Sequence, residues 1–311
     1  MNAADTLGQT EQTARGRAGE QLVHRGPAGS ERIISVPSPV VVVREELASG
    51  ELITDALWAL LEPTGALAAS VELGTGTFSH LPYVFPALGA QEGDPVSFSE
   101  PQVAAGPAMV LSGSATVGYR YGERYTHTHA TWLDQRGNLR GGHLLPGARV
   151  GDVPIEVVLR ALPGAEQLSA DDPETGMPAF APRPVDPVTA PVPDGAPRAV
   201  ISRVLPGIHL DDAVAQVCAE AGFTRARVRA SLGSTVGARL VGEDGDIVEV
   251  DWPAVEFTQL IGGLDGTGDE PRITLQGTLV DIHGEVHNGV IRRGENPVAV
   301  TFELYVEEVL R

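Results

Sequence analysis

The chain has 311 residues, 42% of them hydrophobic and only 5% aromatic, and 22 basic against 41 acidic residues give a net charge of −19. Every basic residue is Arg, which excludes Schiff-base chemistry, pyridoxal phosphate attachment and a Walker A phosphate loop, and the single Cys218 excludes an internal disulfide, a Cys-rich zinc site and an iron–sulfur cluster. Any metal must therefore be held by His and carboxylates, and the acidic surplus opposes loose binding to nucleic acid or an anionic membrane.

Residues 1–31 are small and polar with no helical or strand period, and are expected to form a flexible tail. Met1 to Gly29 lacks a signal-peptide pattern and the chain has no apolar run of about 18 residues, so the expected location is cytoplasmic. In the block 32–162, Gly50 precedes the stripe Ile53, Ala56, Leu57, Leu60 and Leu61, which stops near Gly65. Nine of the 24 prolines lie between Pro163 and Pro197, and this stretch reads as a Pro-rich linker, 163–197, or a long extended crossover, because Pro removes backbone donors and fixes φ, so that neither a helix nor a central strand persists there. In the block 198–311, Gly207 precedes Leu210, Ala213, Val214, Val217 and Cys218, and Gly222 follows.

Both stripes have the spacing of a helix buried on one face, with a glycine stop, and they recur at a constant offset of 157. Downstream the offset is 147: Thr131, Asp134, Gly137, Gly142 and Glu156 map onto Thr278, Asp281, Gly284, Gly289 and Glu303. Short β-rich runs surround both sets. The predicted fold is α+β: two tandem repeats of a helix packed on a mostly antiparallel sheet. Cys218 takes the place of Leu61 on the buried stripe and is expected to be a core residue.

Three of the eight histidines fall in Thr126-His127-Thr128-His129 and Gly141-Gly142-His143. On a strand, His127 and His129 share a face. Gln135-Arg136-Gly137 suits a three-residue hairpin loop with a glycine bulge, and in that register His143 sits across from His129. Three imidazoles on one sheet face meet the demand of a zinc site with an open fourth position; an exposed polar hairpin is the other reading of the same spacing. His283 and His287 lie at and beyond the matching turn of the second repeat, where a solvated turn is expected.

The run THTHATWLDQRGNLRGGHLLPGARV, followed by Ile155-Glu156-Val157, resembles the signature of the PCC (plants and prokaryotes conserved, DUF296) domain, as do Gly50-Glu51-Leu52 and Leu111-Ser112-Gly113 upstream. The resemblance covers nearly all of both blocks and implies an α+β fold, assembly as a homotrimer, and His127, His129 and His143 as metal ligands. The implied fold is also similar to that of acetolactate decarboxylase and of a human zinc-binding ester hydrolase, both with an H-x-H plus H zinc site. In the second block the ligand positions hold Thr274, Gln276 and Val290, so that copy is expected to be a degenerate PCC-like domain without the metal. Plant members carry a minor-groove R-G-R-P core ahead of the domain, and Arg15-Gly16-Arg17-Ala18-Gly19 is similar to it, with Ala18 in place of the Pro.

The expected function is a zinc-dependent lyase or hydrolase acting on a small, carboxylated metabolite. The alternative is a non-catalytic regulatory or DNA-associated binding protein on the same trimeric scaffold. Glu156, on the strand after His143, is the preferred acid or base. Tyr125 shares the histidine face, and Arg120 and Arg124 flank a turn from which either can clamp a carboxylate. Glu51 and His80 are weaker candidates.

Overall fold

A computed structural model describes residues 17–89, 94–188, 190–268 and 271–310. It contains two similar halves, each a helix lying on a mostly antiparallel sheet. In the first repeat, helix α1 (Ile53–Leu61) buries Ile53, Ala56, Leu57, Trp58 and Leu61. Its sheet runs Val41–Leu47, Ile155–Ala161, Ala69–Leu73, Ala108–Arg120, Glu123–Leu133 and Leu139–Leu144 in spatial order. The second repeat repeats that order as Arg198–Val204, Val298–Glu308, Arg225–Thr235, Val255–Asp265, Arg272–Val280 and Val286–Ile291, beneath α2 (Leu210–Ala221). Gly65 and Gly222 end the helices at φ +74° and +71°, where only glycine is free of strain. Cys218 is part of the second core, and burial pushes its thiol up to about 11.

Three expectations are corrected. The strand Ile33–Pro39 does not join the first repeat's sheet; it pairs with Arg198–Val204 of the second, Ser35 opposite Ser202 with their hydroxyls 2.8 Å apart. The supposed tail is docked from residue 17 onward: Ala18 and Leu22 are buried, Gly19 N–H donates to Val236 O, and His24 Nε2 donates to Ala299 O. Arg15 and Gly16 of the Arg-Gly-Arg motif lie outside the described residues, and Ala18 packs against Gly237.

The supposed Pro-rich linker contains an antiparallel hairpin, Ala165–Asp171 with Pro178–Pro184, whose inner strand runs parallel beside Tyr119 and Arg120. Pro178, Pro182 and Pro184 alternate along the outer strand, so their missing N–H groups all fall on one side. An edge strand paired on a single side tolerates that.

Candidate metal centre

Along Glu123–Leu133 the side chains alternate: Ala130 and Trp132 enter the core under α1, while His127, His129 and Thr131 face the second repeat. The hairpin closes as the three-residue loop predicts. Asp134 N–H donates to Asn138 O, Gly137 has φ +79°, and His129 pairs directly with His143.

The ring nitrogens that converge are His127 Nε2, His129 Nε2 and His143 Nδ1. His129 Nε2 lies 3.0 Å from the first and 3.2 Å from the last. Tetrahedral zinc with Zn–N bonds of about 2.0–2.1 Å holds its nitrogens about 3.3 Å apart, so the cluster fits such an ion.

The opposite ring nitrogens are tied down by the second repeat. His127 Nδ1 donates to Glu303 Oε1 at 2.6 Å and His129 Nδ1 to the Phe257 carbonyl at 2.8 Å, which fixes both tautomers with the Nε2 lone pairs free. Burial, reinforced by charge on His127, holds His129 and His143 well below the usual imidazole range, so both are neutral and competent as ligands at pH 7.

Two buried carboxylates of the second repeat complete the centre. Glu256 Oε1 is 3.7 Å from His129 Nε2, and both Glu256 Oε2 and Glu303 Oε2 are buried without a hydrogen-bond partner. Burial pushes the Glu256 carboxyl up to about 8. With His129 also neutral, their contact is not an ion pair at pH 7. An orphaned buried carboxylate oxygen costs roughly 1–3 kcal/mol or more, and a bound cation would relieve that cost.

The histidines and both glutamates line one cavity of about 470 Å³, between the repeats and the Pro-rich hairpin. Tyr125 and Arg120 are there too: Tyr125 stacks near Phe180 at 5.7 Å, and the Arg120 guanidinium lies 5.2 Å over the Tyr125 ring. Burial raises the Tyr125 phenol above its ordinary value, so it stays protonated.

Four expected residues are not in this cavity. Glu156 is exposed on the same sheet face as the histidines but several strands away, near the sheet edge beside Glu46 and Thr75. Arg124 pairs with Glu62 and stacks over Trp58. Glu51 and His80 are exposed and line no part of it. The choice of Glu156 fails because its repeat counterpart Glu303 is the one that reaches the histidines, across the junction. Glu256 was missed altogether; 147 residues earlier stands Met109, so the repeat pattern carries no hint of it. A lone carboxylate inside the apolar run Val255-Glu256-Phe257 is the signal that was there to read.

In the second repeat, Gln276 pairs with Val290 in the register of His129 and His143, and Thr274, Gln276 and Val290 are all exposed. Asp281, Glu285 and His287 lie close enough to one another to hold an ion. Asp281 is nevertheless satisfied internally, accepting from His283 N–H, Glu285 N–H and His287 Nε2, which is the turn geometry of Asp134 with His287 in place of the Asn138 amide.

The model of the Plants and Prokaryotes Conserved (PCC) domain matches residues 37–163 and 193–310. The chain belongs to this family, as a tandem of two copies. Solved structures similar to parts of it include a candidate DNA-binding protein from Ralstonia eutropha JMP134, 20% identical over 46% of this chain and 89% of that one, TM-score 0.36. A metal-containing protein from Archaeoglobus fulgidus is 22% identical over 51% and 97%, TM-score 0.35. A plant- and prokaryote-conserved protein from Pyrococcus horikoshii is 18% identical over 50% and 96%, TM-score 0.36. No curated protein matches the chain. Among the described residues of this tandem PCC protein, no helix is long and apolar enough to cross a membrane.

Proposed function

We propose that this tandem PCC protein binds a divalent metal, zinc first, at His127, His129 and His143, and acts there on a small carboxylated metabolite as a lyase or hydrolase. The carrying observation is the convergence of three imidazole nitrogens and two orphaned carboxyl oxygens on one cavity. A metal held there supplies Lewis-acid polarisation of a substrate oxygen. The protein's own groups supply the rest. Glu256, protonated at neutral pH and facing the cavity, gives or takes a proton at the reacting carbon or leaving group. Glu303 holds His127 in place, and Tyr125 O–H donates to a substrate oxygen. The similarity to acetolactate decarboxylase drawn from the sequence puts a lyase ahead of a hydrolase, and family resemblance puts a homotrimer first among assemblies.

A second reading, a non-catalytic binding or regulatory protein associated with DNA, fits the descriptions of the compared proteins better than an enzyme does. The net charge of −19 and the burial of Ala18, the fourth residue of the Arg-Gly-Arg-Ala motif, weigh against it. Metal analysis of the purified protein and of a His127→Ala, His129→Ala double variant tests the metal. Stoichiometric zinc lost in the variant is expected, and equal near-zero metal in both overturns the reading. A salt-dependent gel shift on A·T-rich duplex would favour the second reading over the first.

A further inference from the structure

We infer that the cavity selects a monocarboxylate with a short apolar body, its carboxylate held by Arg120 and its far end turned toward the three histidines. The inference rests on the metal reading above for the identity of that far end, and on separate observations for the rest.

Arg120 is the only permanent cation among the described residues lining the cavity. Its Nε is buried with no hydrogen-bond partner, and among the described residues no carboxylate lies within ion-pair distance of its guanidinium. The guanidinium is braced instead by two aromatic rings, 5.4 Å from Tyr121 and 5.2 Å from Tyr125. A planar cation braced on rings, with its Nε unpartnered, is preorganised for contact with a carboxylate. In a chain whose acids outnumber its arginines almost two to one, a half-buried arginine left without an acid is a group awaiting an anion.

The charge pattern fixes the ligand's direction. Glu303 sits at the histidine end, bonded to His127, and Arg120 alone among the described lining residues carries a permanent positive charge, so the carboxylate goes to Arg120. Between the ends the walls are mainly apolar: Val84, Phe98 and Leu145 from the first repeat, Met177 and Phe180 from the Pro-rich hairpin, and Val300 from the second repeat. These surfaces reward methylene groups, at about 0.8 kcal/mol for each one buried. Tyr125, beneath Arg120, is two residues from His127 on the same strand face, about 7 Å. A body of roughly four to eight carbons spans that gap.

The test is isothermal titration of the full chain, with and without one equivalent of zinc, using hexanoate and its neutral match hexanamide, on wild type, Arg120→Gln and Arg120→Lys. Metal content and circular dichroism are measured on each. Hexanoate is expected to bind wild type at least tenfold more tightly than hexanamide. Arg120→Gln is expected to erase that preference at unchanged zinc content, and Arg120→Lys, which keeps charge but not the planar fork, to recover part of it. Equal binding of the two probes by wild type, or an unaltered preference in a folded Arg120→Gln, overturns the inference. Failure of the metal reading shows itself separately, as absence of zinc from wild type, and the titration without zinc then still decides the role of Arg120.

Discussion

His127 and Glu303 are 176 residues apart and joined by a 2.6 Å hydrogen bond, so the orientation of a candidate ligand histidine in one repeat depends on a carboxylate in the other. The repeat that carries no histidine at those positions thus supplies half of the candidate centre. The two copies meet through the sheet face turned away from each helix, but at different patches of it: the histidine patch of the first is covered, while the matching positions Thr274, Gln276 and Val290 are exposed. A heterologous contact of this kind leaves one copy of each patch unpaired. Histidines at the exposed positions would have no buried acceptor to fix them, which gives a physical reason why one site suffices. Replacing Glu303 by Gln should weaken zinc binding by about 10–100-fold, read by competition with a chromogenic chelator, whereas Glu156→Gln should leave it unaltered.

Glu256 makes the metal-free protein sensitive to pH in a direction that can be worked out. Its carboxyl is raised from 4.5 to about 8 in the folded state. Between those values the native state holds a proton that the unfolded chain releases, so stability is full below pH 4.5 and is lost as pH rises through about 8. Glu256→Gln removes this loss. Its melting temperature relative to wild type, both without metal, should climb between pH 5 and pH 8 by roughly 5 °C or more. A pH-independent difference in differential scanning calorimetry would show that Glu256 is not held neutral by burial.

The sequence made some of this legible and hid the rest for identifiable reasons. The helix stripes ending at Gly65 and Gly222 and the hairpin register pairing His129 with His143 are local patterns, set by periods of 3.6 and 2 and by loop length. The docking of one repeat on the other is not local. A constant offset says which residues are equivalent, not which surfaces touch, and so it pointed to Glu156 where Glu303 is the one bonded to His127. In the Pro-rich segment the prolines exclude a helix and a central strand but not an edge strand, and Pro178, Pro182 and Pro184 at alternate positions carry the period of one. Arg120 and Arg124 looked alike in sequence. They separate only because Glu62 neutralises Arg124, whereas Arg120 is stacked against Tyr121 and Tyr125.

Backbone clearance behind the histidine strand gives a sharper structural test. A Cβ on Gly113 would lie 2.6 Å from the His129 carbonyl oxygen and 3.0 Å from Leu73 Cδ1, with backbone and core both fixed. Gly113→Ala should therefore displace His129, cost about 1–3 kcal/mol in a denaturant titration, and lower zinc affinity. Gly137→Ala should separate the two effects. Its φ of +79° makes alanine costly by about 1 kcal/mol, but nothing lies within 4 Å, so stability drops while zinc binding stays.

The histidines give the opposite slope to Glu256. His129 and His143 are held well below 6.5 in the folded protein, chiefly by burial, while in the unfolded chain they titrate near 6.5. Below that pH the unfolded chain takes up protons that the native state refuses, so the metal-free protein loses stability as pH falls from 6.5 toward the depressed folded values. His143→Asn and His129→Asn remove one such proton each and should flatten the acid limb of the melting curve between pH 6.5 and 5; Asn also leaves His129's bond to the Phe257 carbonyl replaceable by a side-chain N–H. Zinc adds to the same limb, because it binds the neutral rings and must compete with protons once they begin to charge. Melting temperatures of the zinc-loaded wild type should therefore exceed those of the metal-free chain most at pH 7 and above, and the two curves should converge as the histidines protonate. Parallel curves down to pH 5 would place the bound metal somewhere other than on these rings.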